Sequence, residues 1–205
     1  APGGPGLPES LSRLDEARRQ FPAHQPGHYH ERSGRQAVGR PDQARGAYQA
    51  VIMSGRGDTY SQEAEKRLKG ITAKEHLKKA GRMFQENLYE ESLLEIEAAL
   101  SLIPDYAAAH FAAGMAYVRL KRLKEAVDAF KKTVEIIPAH TDALWQIVTL
   151  YEVQASYEDA ISNLRKIIAL NPLSARSAEA EKRIQDNERK IEARRLFDQS
   201  AVLIR

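Results

Sequence analysis

The 205 residues carry 31 lysines and arginines against 28 aspartates and glutamates, and 42% of them are hydrophobic, enough apolar surface for a real core. This near-balance of charge argues against a polyelectrolyte seeking nucleic acid, in spite of a pI near 9.1. The lack of cysteine excludes a disulfide framework, a thiolate zinc site and a thiol nucleophile, and no apolar run approaches the roughly 18 residues of a membrane span.

The first 72 residues hold ten of the twelve glycines and six of the nine prolines, and arginine outnumbers lysine there by nine to two. Residues 1–24 read as an irregular arm, of a composition that orders only against something else. His24, His28 and His30 cluster beside Pro22, Pro26 and Gly27, but no acidic or thiol residue nearby completes a ligand set, so a polar loop is expected, with no metal and no cofactor. Arg56-Gly57-Asp58 has the ordinary turn chemistry of glycine and aspartate between helices. Residues 41–68 align without a gap with residues 157–184: Ala44 with Ala160, Tyr48 with Leu164, Val51-Ile52 with Ile167-Ile168, and the run from Glu63 to Leu68 with that from Glu179 to Ile184. Each copy reads as a helix, a turn and a following charged helix, which in the first copy spans roughly residues 59 to 70.

From Thr72 onward Ala, Leu, Ile, Glu and Lys dominate, with apolar residues three and four apart, which predicts amphipathic helices and no sheet. Thr72, three residues before Glu75, is a candidate capping box, and Asp105 is a candidate cap for a helix opening at Tyr106. Pro104, Pro138 and Pro172 recur every 34 residues, and the residue types before each proline recur with them. Ser92, Ala126 and Ala160 put a small residue where two helices cross, and Ile96, Phe130 and Leu164 put a large one a turn later. Ala80 and Gly114 keep the facing helix thin, and Met83, Tyr117 and Tyr151 turn bulk towards the partner helix; Val148 departs from the small pattern and predicts a wider third pair.

The charged residues read as structural. Glu90-Glu91 and Glu158-Asp159 open second helices, where they complement the dipole. His76 and His110 stand 34 residues apart at equivalent places, as repetition and not as a catalytic pair. Arg119, Lys121, Arg122 and Lys124 read as a solvated loop, because residues 73–172 carry 12 basic against 14 acidic residues and no aromatic platform interleaves with the cluster. No phosphate loop, nucleophile elbow or dinucleotide fingerprint is present, so no enzymatic activity is expected.

The three units over residues 73–172 resemble the tetratricopeptide-repeat family. The resemblance implies an all-α fold, a right-handed α-solenoid of antiparallel helix pairs with a concave groove lined by the first helix of each pair. Under it, residues 25–56 are a degenerate unit with Arg56 in the proline's place, residues 25–72 hold that unit plus an inserted helix, and residues 173–205 form a charged capping helix with an apolar tail. The implied groove wall is Leu77, Gly81 and Phe84, then Phe111, Met115 and Val118, then Trp145, Thr149 and Glu152. Members that clamp acidic chaperone tails use lysine, asparagine and arginine at places that here hold Leu77, Gly81, Ala112, Asp142 and Gln146, so such a clamp is not expected. The expected function is a non-catalytic scaffold that binds a protein or peptide segment in an apolar groove. The alternative is a constitutive subunit of a larger assembly, held through the N-terminal arm and outer surfaces. Neither a nucleic-acid partner nor membrane insertion is expected, and the compartment is cytoplasmic or, if a signal preceding Ala1 has been removed, periplasmic or secreted.

Overall fold

The computed structural model describes residues 41–53 and 59–203. The N-terminal arm, the three clustered histidines, the first part of the degenerate unit and Arg56-Gly57-Asp58 lie outside the described residues. Among those described there are eight α-helices and no strand: α1 Pro41–Met53, α2 Thr59–Gln85, α3 Tyr89–Leu102, α4 Ala107–Arg119, α5 Leu123–Ile136, α6 Thr141–Val153, α7 Tyr157–Leu170 and α8 Ala175–Leu203.

The chain divides into two compact units. One takes in residues through Lys79 together with Glu97–Pro104. Its core forms where the apolar stripe of α1, Tyr48, Val51 and Ile52, meets Ala64, Leu68 and Ile71 of α2, and Arg45 pairs with Glu75 beside it. The compositional boundary at Thr72 is not a structural one, because α2 runs unbroken for 27 residues from the inserted segment into the first repeat. Thr72 therefore caps nothing; its hydroxyl donates to the Leu68 carbonyl at 3.0 Å, inside the helix. Strong helix formers flank this point and the Glu63–Arg67 pair closes at 2.7 Å, which together outweigh the roughly 1 kcal/mol that Gly70 costs relative to alanine.

The other unit comprises Ala80–Ile96 and Asp105–Arg205. Its helices keep the 34-residue register: α3, α5 and α7 open at Tyr89, Leu123 and Tyr157, and α4, α6 and α8 at Ala107, Thr141 and Ala175. Each second helix stops two residues before its proline, since the residue ahead of proline is pushed out of the helical region. The turn between the helices of a pair repeats as well. Asn87, Lys121 and Ala155 take φ of 64°, 59° and 55°, and the next amide, of Leu88, Arg122 or Ser156, donates 2.9 Å back to the carbonyl of Met83, Tyr117 or Tyr151. This is the left-handed C-cap, built three times without a glycine.

Helix starts are less uniform. Asp105 does not cap α4, whose N-cap residue is Tyr106 with no side-chain bond. The cap of α6 is His140, whose Nδ1 accepts from the Ala143 amide at 3.1 Å, and Ser174 Oγ accepts from the Ser177 amide at the start of α8. In the first turn of α5, a hydrogen bond at its own backbone and the Arg122 guanidinium 2.9 Å away hold the Glu125 carboxyl below its usual range.

The seam between paired helices is where small meets large. Ser92, Ala126 and Ala160 and their partners Ile96, Phe130 and Leu164 are all buried, and the Ser92 hydroxyl is satisfied by donating 2.9 Å to the Ala80 carbonyl. A Cβ added to Gly114 would lie 2.5 Å from the Phe130 ring, so only glycine admits that ring. Bulk trades across the seam: Ala80 goes with Ile96, Gly114 with Phe130, and Val148 with Leu164, the last two sharing one buried cluster.

Two substitutions with opposite signs follow. Gly114→Ala gains about 1 kcal/mol in helix propensity but overpacks a buried ring at about 1–3 kcal/mol, so thermal melting should show net loss of about 1 kcal/mol; a raised midpoint would contradict the seam. Ala155→Gly removes a left-handed strain of about 1 kcal/mol and should raise the midpoint by about 2–4 °C, whereas a lower midpoint would mean that the turn is not left-handed there.

Candidate functional site

The first helices present three rows of equivalent residues, each stepping by 34: Leu77, Phe111 and Trp145; Gly81, Met115 and Thr149; Phe84, Val118 and Glu152. Leu77 is half-buried on α2 and belongs to the first compact unit. The others belong to the second, where the structure treats the early and late members of each row differently.

On α4, Phe111, Met115 and Val118 are partly exposed and rest on the cluster of Ala126, Val127, Phe130, Ala143, Ile147 and Leu150. The Phe111 ring lies 5.5 Å from Phe130 and 4.9 Å from His140. His140 Nδ1 accepts from the Ala143 amide, which holds the ring in place beside Phe111. A Cβ on Gly81 would meet nothing within 4 Å, so that position of α2 is open. Phe84 meets Tyr89 edge-on at 5.2 Å. The Arg119 guanidinium stands 4.9 Å from the Tyr89 centroid and 5.7 Å from that of Phe84, and it donates at 3.4 Å to Asn87 Oδ1, which also accepts from the Tyr89 hydroxyl at 2.6 Å. Arg119 thus has an aromatic platform, supplied by the preceding repeat, where sequence proximity offered none. Arg122 likewise lies 4.7 Å from the Tyr117 centroid.

The third-repeat members are engaged by side chains of α8, with Trp145 and Glu152 half-buried and Thr149 exposed. Arg183 stands 4.8 Å and Arg176 5.9 Å from the Trp145 ring centroid. Arg183 forks onto Glu152, with Nε donating at 3.1 Å to Oε1 and NH2 to Oε2, and it reaches Thr149 Oγ1 at 3.5 Å. Asn187 Nδ2 donates to Glu152 Oε1 at 2.8 Å, Thr149 donates to the Trp145 carbonyl at 3.1 Å, and Arg176 bonds Asp142 at 2.7 Å. Ala180, Ser177 and Asn187 are buried, so α8 is packed and not merely adjacent. The long-range pairing of α8 with α6 was not legible from composition, which marks α8 only as a charged helix.

Among the described residues no three His, Asp or Glu converge to hold a metal, and no helix is long and apolar enough to cross a membrane. The Arg183–Glu152 pair is mostly shielded, at 19% and 17% side-chain exposure. Breaking a fully buried pair costs about 3–5 kcal/mol; with this residual solvent screening Arg183→Ala should cost about 2 kcal/mol. A double-mutant cycle of Glu152→Gln with Arg183→Gln should give a coupling of about 1–2 kcal/mol by thermal melts. Coupling near zero would show that apolar contacts alone hold α8.

Residues 82–141 match the family model of the tetratricopeptide repeat. Sperm-associated antigen 1 of mouse is 28% identical over 104 residues, covering 51% of this chain and 11% of that protein; the rat protein matches over the same length. The chain therefore spans only about a tenth of the length of the curated relatives it matches. Among solved structures, the P58(IPK) TPR domain superposes with a TM-score of 0.64 at 16% identity, covering 94% of this chain and 50% of that one. Yeast Tom70 gives 0.57 at 22% identity over 62% of this chain and 26% of its own. The first TPR of Spaghetti (RPAP3), bound to the HSP90 peptide SRMEEVD, gives 0.52 at 16% identity over 59% and 94%. With the 34-residue register, the repeated turn and the small–large seam, these matches identify the helix pairs as tetratricopeptide repeats.

Proposed function

We propose that this chain is a non-catalytic interaction scaffold that takes an apolar segment of a partner protein onto the wall of its first two repeats, at Gly81, Phe84, Phe111, Met115 and Val118. The observation that carries the reading is the contrast along each row: on α4 the residues are apolar and partly exposed, whereas Trp145, Thr149 and Glu152 are engaged by α8. Large apolar side chains on a rigid helix face offer area at little entropic cost. The relative bound to SRMEEVD supports peptide recognition by this fold. The peptide chemistry differs here: Leu77, Gly81 and Ala112 offer an acidic tail no cation, and Asp142 is itself acidic and tied to Arg176.

Selection from a displayed peptide library against the chain should yield peptides with two or more large apolar anchors, bound more tightly than SRMEEVD. Met115→Arg should weaken the selected peptides at least tenfold, about 1.4 kcal/mol, with an unchanged helical melt. Trp145→Ala should lower the melting temperature and leave affinity within about twofold, since Arg176 and Arg183 of α8 lie against that ring. Tighter binding of SRMEEVD, or selected peptides indifferent to Met115→Arg, would defeat the proposal.

A further inference from the structure

Among the described residues four arginines stand over aromatic rings: Arg119 over Phe84 and Tyr89, Arg122 over Tyr117, and Arg176 and Arg183 over Trp145. Three of them also hold a carboxylate of the chain, Arg122 that of Glu125 at 2.9 Å, Arg176 that of Asp142 at 2.7 Å and Arg183 that of Glu152. Arg119 does not. Its hydrogen bond among the described residues is a long one, 3.4 Å to the neutral Asn87 Oδ1, which leaves most of its N–H groups outward. The comparison with Arg183 is the closest. Each reaches from a first helix to the same place on the preceding one, because Phe84 stands where Glu152 stands two repeats later. Arg183 finds a carboxylate there and forks onto it; Arg119 finds a ring. The exposed Arg119 is the last residue of α4, next to Val118, so this unmatched cation borders the apolar wall. A guanidinium already held by aromatic contact loses little freedom when a planar anion arrives at its fork.

We propose that Arg119 receives the carboxylate of an aspartate or glutamate side chain in the partner segment, set beside the apolar anchors that rest on Phe84, Met115 and Val118. The inference rests on the reading of that wall as the partner site and adds the chemistry of the segment: apolar anchors flanked by one acidic side chain. The guanidinium offers donors only, so it prefers a carboxylate to the isosteric amide, which presents donors of its own. The pair forms at an exposed position, and its contribution is therefore to selectivity more than to affinity, about fivefold between acid and amide.

Peptides selected on the full chain and synthesised with C-terminal amides should carry Asp or Glu at a fixed distance from an apolar anchor. Fluorescence anisotropy with each peptide and its Asn or Gln counterpart, on wild type and on Arg119→Gln, completes a double-mutant cycle. Wild type should bind the acidic form about fivefold more tightly, and Arg119→Gln should bind both forms alike. Arg119→Lys, which keeps the charge without the fork, should restore part of the preference. Acid and amide peptides bound equally by wild type, or an acid preference that persists in Arg119→Gln, would overturn the proposal. If Met115→Arg still weakens the same peptides, the apolar wall stands and only the role of Arg119 falls. Peptides indifferent to Met115→Arg remove the wall, and this inference with it.

Discussion

The close approach between paired helices, where the Phe130 ring lies against the bare backbone of Gly114, sets the terms for the rest of the array. A small residue on one helix and a large one on the other bring the axes together and bury a side chain fully, as at Ile96, Phe130 and Leu164. Two helices of about four turns, a left-handed turn and a proline stop then fill one period, so all these features recur at 34 residues because each is tied to the seam. Once one face of a first helix is committed to its partner, the opposite face is left to meet either another molecule or another part of the chain. The functional question reduces to which of these happens at each repeat.

One row of the array records the answer. Gly81, Met115, Thr149 and Arg183 occupy the same place in successive first helices, and the chemistry changes from open and apolar to polar and then charged. The last repeat has no further repeat to cover it, and the chain closes it with α8. Arg183 serves twice, laid over the Trp145 ring and forked onto Glu152, and the long α8 side chains supply packing as well as charge. The cap is therefore polar outside without leaving the third repeat bare, as a solenoid end requires. Ahead of it, Arg119 spans the turn of one repeat and the first helix of the next through Tyr89 and Asn87, which ties successive units on their turn edge.

The sequence shows the register, the proline stops, the seam pairs and a charged closing helix, because each depends on residues a few positions apart. It hides what depends on residues a repeat apart. Arg119, Arg122 and Arg183 read as solvated charge, yet the first and last lie on aromatic rings some thirty residues or more away, and Arg122 lies on Tyr117. The left-handed residues Asn87, Lys121 and Ala155 carry no glycine to announce them; the turn is imposed by the helices on either side. His140 escaped notice as a cap because histidine is outside the usual capping set. Thr72 and Glu75 imitate a helix start that α2 runs straight through, for local capping chemistry is worth less than an uninterrupted stretch of good helix formers. Among the wall residues, the sequence assigns all nine to one face but does not distinguish those that α8 engages.

The central claim is that the first two repeats receive a partner while the third is closed by the chain itself, and the protein carries its own reporters for it. Trp145 is the only tryptophan, and Met53, Met83 and Met115 are the only methionines. Titration of methyl-labelled methionine chain with an apolar peptide selected against it, followed by methyl NMR and indole fluorescence on the same samples, reads both walls at once. The account predicts that the Met115 methyl shifts saturably while Met53, Met83 and the Trp145 emission stay where they are. A saturable change at Trp145 with Met115 unmoved would place the partner on the third repeat and contradict it.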